Sequence, residues 1–295
     1  MILAVAFLLL MLVSMSASFE SELFFPVEED LSLTMPFRCE DEGESYGFYR
    51  IYPSEPDASR TSGFLLAVGT NACFEDYKAV AEAIIETTPT LYVVIIDPKP
   101  GNLEKLDPVL YVDCVKRVLN ELEKRSFAIQ HWYIGGHSAS AYAAIEVLKA
   151  YEPNKLPFTP KAYIGFDPVG VSISADAVLR ISSLVFTTTT SGGCTLWNAR
   201  GGDYYRIADR TLKTCNRYYL VEIKDGGHCS FSNGNCRFVD KTHVCHGTGD
   251  QTLFNDILAK KISSFVNDKP ILKEEENVLI QSNSSVGCRT VQQEL

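Results

Sequence analysis

Short continuous apolar runs alternate along this chain with segments whose apolar residues recur three and four positions apart. The first kind reads as strands buried on both faces, the second as helices with one packed stripe. Tyr46 to Tyr52 alternates aromatic with other residues, the pattern of an antiparallel edge strand. Phe64 to Val68 is apolar throughout and stops at Gly69, and a helical stripe follows through Phe74, Tyr77, Val80, Ala81 and Ile84. Leu91 to Ile96 is the next strand, ending at Asp97-Pro98. Asp107-Pro108 then opens a helix as N-cap followed by a first-position proline, with the stripe Tyr111, Cys114, Val115, Val118, Leu122 behind it. Trp132 to Gly135, Ala162 to Phe166, Leu184 to Phe186 and Tyr218 to Ile223 are further strands. The helical stripe Ala141, Ala144, Ile145, Leu148 separates the first two, and a last helix carries Phe254, Ile257, Leu258, Ile262 and Phe265. Such alternation predicts an α/β fold: a doubly wound, mostly parallel sheet with helices on both faces.

Composition changes the picture at the ends. Residues 1–18 hold no charged side chain and include the apolar block Ile2 to Val13, then Ser16-Ala17-Ser18, which suits a signal-peptidase site and a mature start at Phe19. The block is too short for a comfortable membrane span, and no later stretch reaches the ~20 apolar residues that a spanning helix needs. Secretion, or delivery to the lumen of the secretory and endolysosomal pathway, is therefore expected. Residues 19–268 form the expected single domain, and residues after Lys269, with Glu274-Glu275-Glu276, an acidic polar tail to 295. A net charge of −10 with no basic run argues against nucleic acid and anionic membranes as partners. Nine cysteines fit an oxidising compartment, and their odd number leaves at least one unpaired within the chain. Cys114, on an apolar helix stripe, is the expected free thiol. Asn283-Ser284-Ser285 is a glycosylation sequon at Asn283.

The chemistry concentrates where strands end. Gly136-His137-Ser138-Ala139-Ser140 lies between an apolar strand and a helix, with a serine at the apex. A tight turn of small residues there projects the hydroxyl above the sheet edge, so Ser138 is the candidate nucleophile. It needs a base. Of the five histidines, His131 and His137 sit in or just before the turn, and His243 and His246 in a cysteine-rich loop. His228, in Asp225-Gly226-Gly227-His228 just after the last strand, is the candidate base. Asp167 ends one strand and is the candidate acid, with Asp203 as the alternative; Asp225 and Asp97 read as turn residues. Oxyanion stabilisation needs two backbone N–H groups, expected from Ala139 and from Thr70 in the loop after Val68.

These residues resemble the α/β-hydrolases, and in finer texture the chlorophyllases and the dienelactone-hydrolase-like esterases. The resemblance is carried by Gly136-His137-Ser138, Asp167-Pro168-Val169 and Gly227-His228, and by Gly192-Gly193-Cys194, Asp203-Tyr204-Tyr205 and Cys215. It spans roughly Gly63 to Val266. It departs at Ser140, where the family has glycine, and again at Cys229-Ser230-Phe231, which opens a cysteine-rich loop. In many hydrolases of this fold the acid follows the strand after Leu184, yet Thr187 to Gly202 holds no carboxylate. The resemblance implies an α/β-hydrolase fold and a serine esterase with a Ser138-His228-Asp167 triad, working without cofactor or metal on a small-molecule or lipid-like ester.

The short connection from Asp167 to Leu184 leaves no room for a large lid. A lipase or polyester hydrolase of the same fold is the nearest rival, and a hydrolase-fold binding protein with a degraded site is the rival from another class. Cys236, His243, Cys245 and His246 are metal-ligand types, but their spacing matches no tight zinc pattern and a secreted loop favours disulfides. Cys194–Cys215 and Cys236–Cys245 are candidate pairs, with Cys229 joining Cys236 or Cys245 as the alternative.

Overall fold

The structure, a computed structural model, describes residues 33–38, 46–69, 72–97, 108–150, 158–168, 181–188, 217–233, 247–272 and 278–282. Its strands are β1 (Leu33–Arg38), β2 (Tyr46–Tyr52), β3 (Ser62–Ala67), β4 (Leu91–Asp97), β5 (His131–His137), β6 (Pro160–Phe166), β7 (Ser182–Thr188), β8 (Tyr218–Ile223) and β9 (Val278–Ser282). The helices are α1 (Lys78–Thr87), α2 (Pro108–Lys124), α3 (Ser138–Ala150) and α4 (Gln251–Val266), with short 3₁₀ turns at Phe74–Tyr77 and His228–Ser232. α2 starts at Pro108, where the missing N–H costs nothing because the first turn has no acceptor for it.

All described strands join one sheet in the order β1-β2-β4-β3-β5-β6-β7-β8-β9. The six strands from β4 to β8 run parallel, and the outer pairs β1–β2, β2–β4 and β8–β9 are antiparallel. Side chains alternate between two cores, as the two-residue period of a strand requires. Leu65, Ala67, Tyr92, Val94 and Ile96 face one core with Val115 and Val118 of α2 and Ala144 and Ile145 of α3. Phe64, Leu66, Leu91, Val93 and Ile95 face the other with Val80 and Ile84 of α1 and Leu258 and Ile262 of α4. Chain order reverses between β3 and β5: the chain leaves β3 for β4 on one side and returns to β5 on the other. Carboxyl ends of such neighbours diverge and leave a crevice, the usual ligand position in an open α/β sheet.

Two expectations need correction. The domain does not end at residue 268, because β9 lies inside the expected tail and pairs with β8, Val221 opposite Ile280. Cys114 is buried on α2 but is disulfide-bonded, as is Cys229, so it is not the free thiol. Cys73 stands as a thiol instead and donates to Asp76 Oδ2 at 3.3 Å. The pairings themselves, the N-terminal segment 1–18, Asn283, the histidines and cysteines of the alternative metal set, and most of the Asp167–Leu184 connection lie outside the described residues. Among the described residues no helix is long and apolar enough to cross a membrane.

Candidate active site

The three side chains that could perform acyl transfer come from the carboxyl ends of β5, β6 and β8. Ser138 follows β5 directly and begins α3 with φ 57, a left-handed conformation that costs a residue with a Cβ on the order of 1–2 kcal/mol. Small neighbours hold it there. A Cβ on Gly136 would lie 2.8 Å from the Ala67 carbonyl and 3.0 Å from the Ala141 nitrogen. One on Gly135 would overlap the Ile164 carbonyl at 1.7 Å. Strand, elbow and helix therefore approach to backbone contact. Ser140 is buried in the first turn of α3, and the elbow forms around it.

His228 is not on a loose glycine loop. It is the first residue of the 3₁₀ turn, where Gly227 N–H donates to Ser230 Oγ at 3.0 Å and Gln251 Nε2 donates to the Ser230 carbonyl at 2.7 Å. Its Nε2 lies 3.0 Å from Ser138 Oγ and its Nδ1 2.6 Å from Asp167 Oδ2. Asp167 follows β6 with φ 41; its N–H donates to the Phe186 carbonyl at 2.8 Å. Its second oxygen, Oδ1, accepts from Thr187 Oγ1 at 3.1 Å. Ser138, Asp167 and His228 are all buried, so the line of contacts is largely shielded from water. Asp225 takes φ 62 and its carbonyl accepts from Thr248 and Gly249, a turn role, while Asp97 is the buried last residue of β4.

Ala139 places its N–H in the first turn of α3, where amides have no partner within the helix and the helix dipole is positive. Thr70 and Asp203 lie outside the described residues. Gly69, just before Thr70, spends its own N–H on Tyr77 Oη at 2.8 Å. Among the described residues no group of three metal-ligating side chains is present.

Three neighbours escaped the sequence reading. Thr187 figured only as the start of a stretch without a carboxylate. Tyr77 looked like core, as part of a helical stripe. His137 was set aside as a turn residue, yet its buried ring links Tyr77 Oη (2.7 Å from Nδ1) to the His228 carbonyl (3.0 Å from Nε2). The only available sequence cue was a histidine inside an otherwise small-residue elbow.

Burial, and then the neighbouring His228, pushes the His137 imidazole well below its ordinary value of 6.5. The unfolded chain takes up this proton as pH falls through 6.5, whereas the folded protein does not. Stability from this group is therefore complete above 6.5 and declines below it, by up to about 1.4 kcal/mol per pH unit. Thermal unfolding at pH values of about 7.5 and 5.5 should show a larger acid-side loss for the wild type than for His137→Gln. Equal losses would contradict this assignment.

No protein-family model and no curated protein matches the chain. Solved structures do. Esterase 2 of Thermogutta terrifontis, phosphorylated by paraoxon, matches with a TM-score of 0.55 at 15% identity, covering 83% of this chain and 96% of that one. The esterase domain of a Rhodothermus marinus protein matches with a TM-score of 0.52 at 10% identity, covering 80% and 98%. A ferulic acid esterase from Streptomyces cinnamoneus gives 0.51 at 12% identity, covering 81% and 88%. The chain has the α/β-hydrolase fold. At such identities the shared property is the fold alone, and the chemistry rests on the residues just described.

Proposed function

We propose that the protein is a secreted serine hydrolase that cleaves carboxylic esters through an acyl-enzyme. The observation that carries this is the continuous line from Ser138 Oγ through the His228 ring to Asp167, at 3.0 and 2.6 Å, with the serine held in its left-handed elbow. Ser138 Oγ attacks the ester carbonyl as His228 Nε2 takes its proton. Asp167 holds the Nδ1–H tautomer and stabilises the imidazolium, which then protonates the leaving alcohol. The N–H groups of Ala139 and Thr70 receive the oxyanion. Water, activated by the same imidazole, releases the acid and restores Ser138.

That the neighbours in fold are named esterases, one of them phosphorylated by paraoxon, supports an ester substrate. The elbow, acid and base motifs support a chlorophyllase-like or dienelactone-hydrolase-like esterase over a lipase or polyester hydrolase. The disulfide-bonded Cys114 and Cys229 and the uncharged N-terminal block support an oxidising, secretory location, in which Asn283 would carry glycan. An activity panel tests the proposal: a short-chain p-nitrophenyl ester, a long-chain emulsified lipid and a chlorophyll-type ester. Turnover of the soluble or chlorophyll-type ester ahead of the emulsion is expected. Preference for the emulsion would favour the lipase reading, and no turnover of any ester above a heat-denatured control would refute the esterase.

Thr187 gives a finer check. Thr187→Val keeps the shape but removes the donor to Asp167 Oδ1. A hydrogen bond to a charged group is worth about 1.5–3 kcal/mol, so kcat should fall by roughly 10-fold or more while KM stays near the wild-type value. Unchanged kcat would mean that Thr187 does not support the acid.

A further inference from the structure

We propose that Tyr77 and His137 are positioning residues that tie the loop after β3 to the backbone of the base through one hydrogen-bonded line: Gly69 N–H, Tyr77 hydroxyl, His137 ring, His228 carbonyl. This rests on the serine-hydrolase reading and adds a mechanism for keeping its parts in register. The proton positions along the line follow from its ends. A carbonyl only accepts, so the 3.0 Å contact to His228 O makes His137 Nε2 the N–H. The ring is neutral, so Nδ1 carries a lone pair and the Tyr77 hydroxyl, 2.7 Å away, must donate to it. That hydroxyl's oxygen is then free to accept from Gly69 N–H at 2.8 Å. Each contact is satisfied in one direction only, which removes rotational freedom from both buried side chains.

The line joins the three segments that the chemistry needs. At one end, Gly69 precedes Thr70, the proposed oxyanion donor. It is pressed so close that a Cβ there would lie 2.8 Å from His137 Nδ1 and 3.3 Å from Ser138 Cβ. In the middle, His137 is the residue before the nucleophile. At the far end, the His228 carbonyl fixes the backbone from which the catalytic imidazole pivots, while Asp167 fixes the ring itself. The two imidazole rings stand 4.6 Å apart between centroids, and the Phe231 ring lies 5.8 Å from that of His137. An uncharged His137 is what this spacing requires, since His228 becomes a cation in each half-reaction, and burial keeps it uncharged.

The test uses the purified full-length chain as wild type, Tyr77→Phe, His137→Leu, His137→Gln and Ser138→Ala, with a soluble p-nitrophenyl ester. Tyr77→Phe and His137→Leu should keep KM within about 2-fold and lose kcat by about 10-fold or more, since a displaced catalytic group slows chemistry without changing substrate contacts. His137→Gln should recover most of that loss, because the Gln amide can donate to the His228 carbonyl. Titration with paraoxon counts competent sites, so loss through misfolding is separated from slow chemistry in folded protein. The inference is overturned if kcat per titrated site equals the wild-type value in Tyr77→Phe and His137→Leu, or if Gln is no better than Leu at 137. Should Ser138→Ala keep its activity, the serine-hydrolase reading itself fails. A dead Ser138→Ala beside unaltered Tyr77→Phe removes only this inference.

Discussion

Ser138→Ala should lower kcat for a soluble ester by about 10⁶-fold, because removal of the nucleophile from a working triad leaves only binding and oxyanion stabilisation. The substitution deletes one oxygen. Alanine accepts the left-handed backbone of the elbow about as well as serine, and the glycine packing of β5 is untouched. The folded protein should therefore keep its thermal stability and, with the polar attacking group gone, bind ester with a KM close to wild type. Residual turnover should no longer respond to loss of His228, since members of one triad act as a unit and their effects do not add. Turnover within about 10-fold of wild type in folded Ser138→Ala would exclude this site as the seat of any activity.

Asp167→Asn should cost about 10⁴-fold in kcat at neutral pH with little change in stability. The direction follows from hydrogen-bond geometry. Thr187 Oγ1 donates to Oδ1, so an asparagine at 167 would keep its carbonyl oxygen there and turn its NH₂ toward His228 Nδ1. That amide donates, so the ring must carry its proton on Nε2. Nε2 then points a proton at Ser138 Oγ, 3.0 Å away, and cannot accept one. The variant thus keeps shape and burial while holding the base in the wrong tautomer. The same experiment decides between the two candidate acids. If Asp203 orients the base, Asp203→Asn shows the 10⁴-fold loss and Asp167→Asn stays near wild type.

The layout of fold and site was legible wherever a local pattern had a local cause. β3 and β4 are buried on both faces, as is β6 from Ala162 to Phe166, so their apolar runs stand out. Asp167 stood out as a candidate because it lies where its strand stops, at an Asp-Pro, and the structure brings it to 2.6 Å from His228 Nδ1. β1 and β9 were not readable. Strands at the margin of a sheet are held by pairing to one neighbour rather than by a continuous apolar sequence. β1 even contains Pro36, a residue tolerated at such an edge. β9, Val278 to Ser282, follows an acidic stretch that suggested a tail, and only its partner β8 makes it a strand.

Cys114 shows another limit. A small apolar residue on a buried stripe satisfies the pattern equally as thiol or as disulfide, and the choice depends on a partner distant in sequence. Tyr77 and His137 are 60 positions apart, and Tyr77 earned its place in the stripe by its ring. The role of its hydroxyl follows from the β3–β5 junction, which brings the loop after one strand against the elbow after the other. Ser140 is the reverse case: the departure from glycine looked like a defect in the motif. With Ser138 at φ 57 and 3.0 Å from His228, the elbow accommodates it.

In the proposed mechanism Ser138 is a nucleophile activated by His228 and Asp167. Treatment of the folded protein with paraoxon, followed by digestion and mass spectrometry, tests it most directly. One diethylphosphoryl group should appear on the peptide containing Ser138, absent from Ser138→Ala and formed far more slowly in Asp167→Asn. Folded wild-type protein that takes up no label, or takes it up on another residue, would contradict this mechanism.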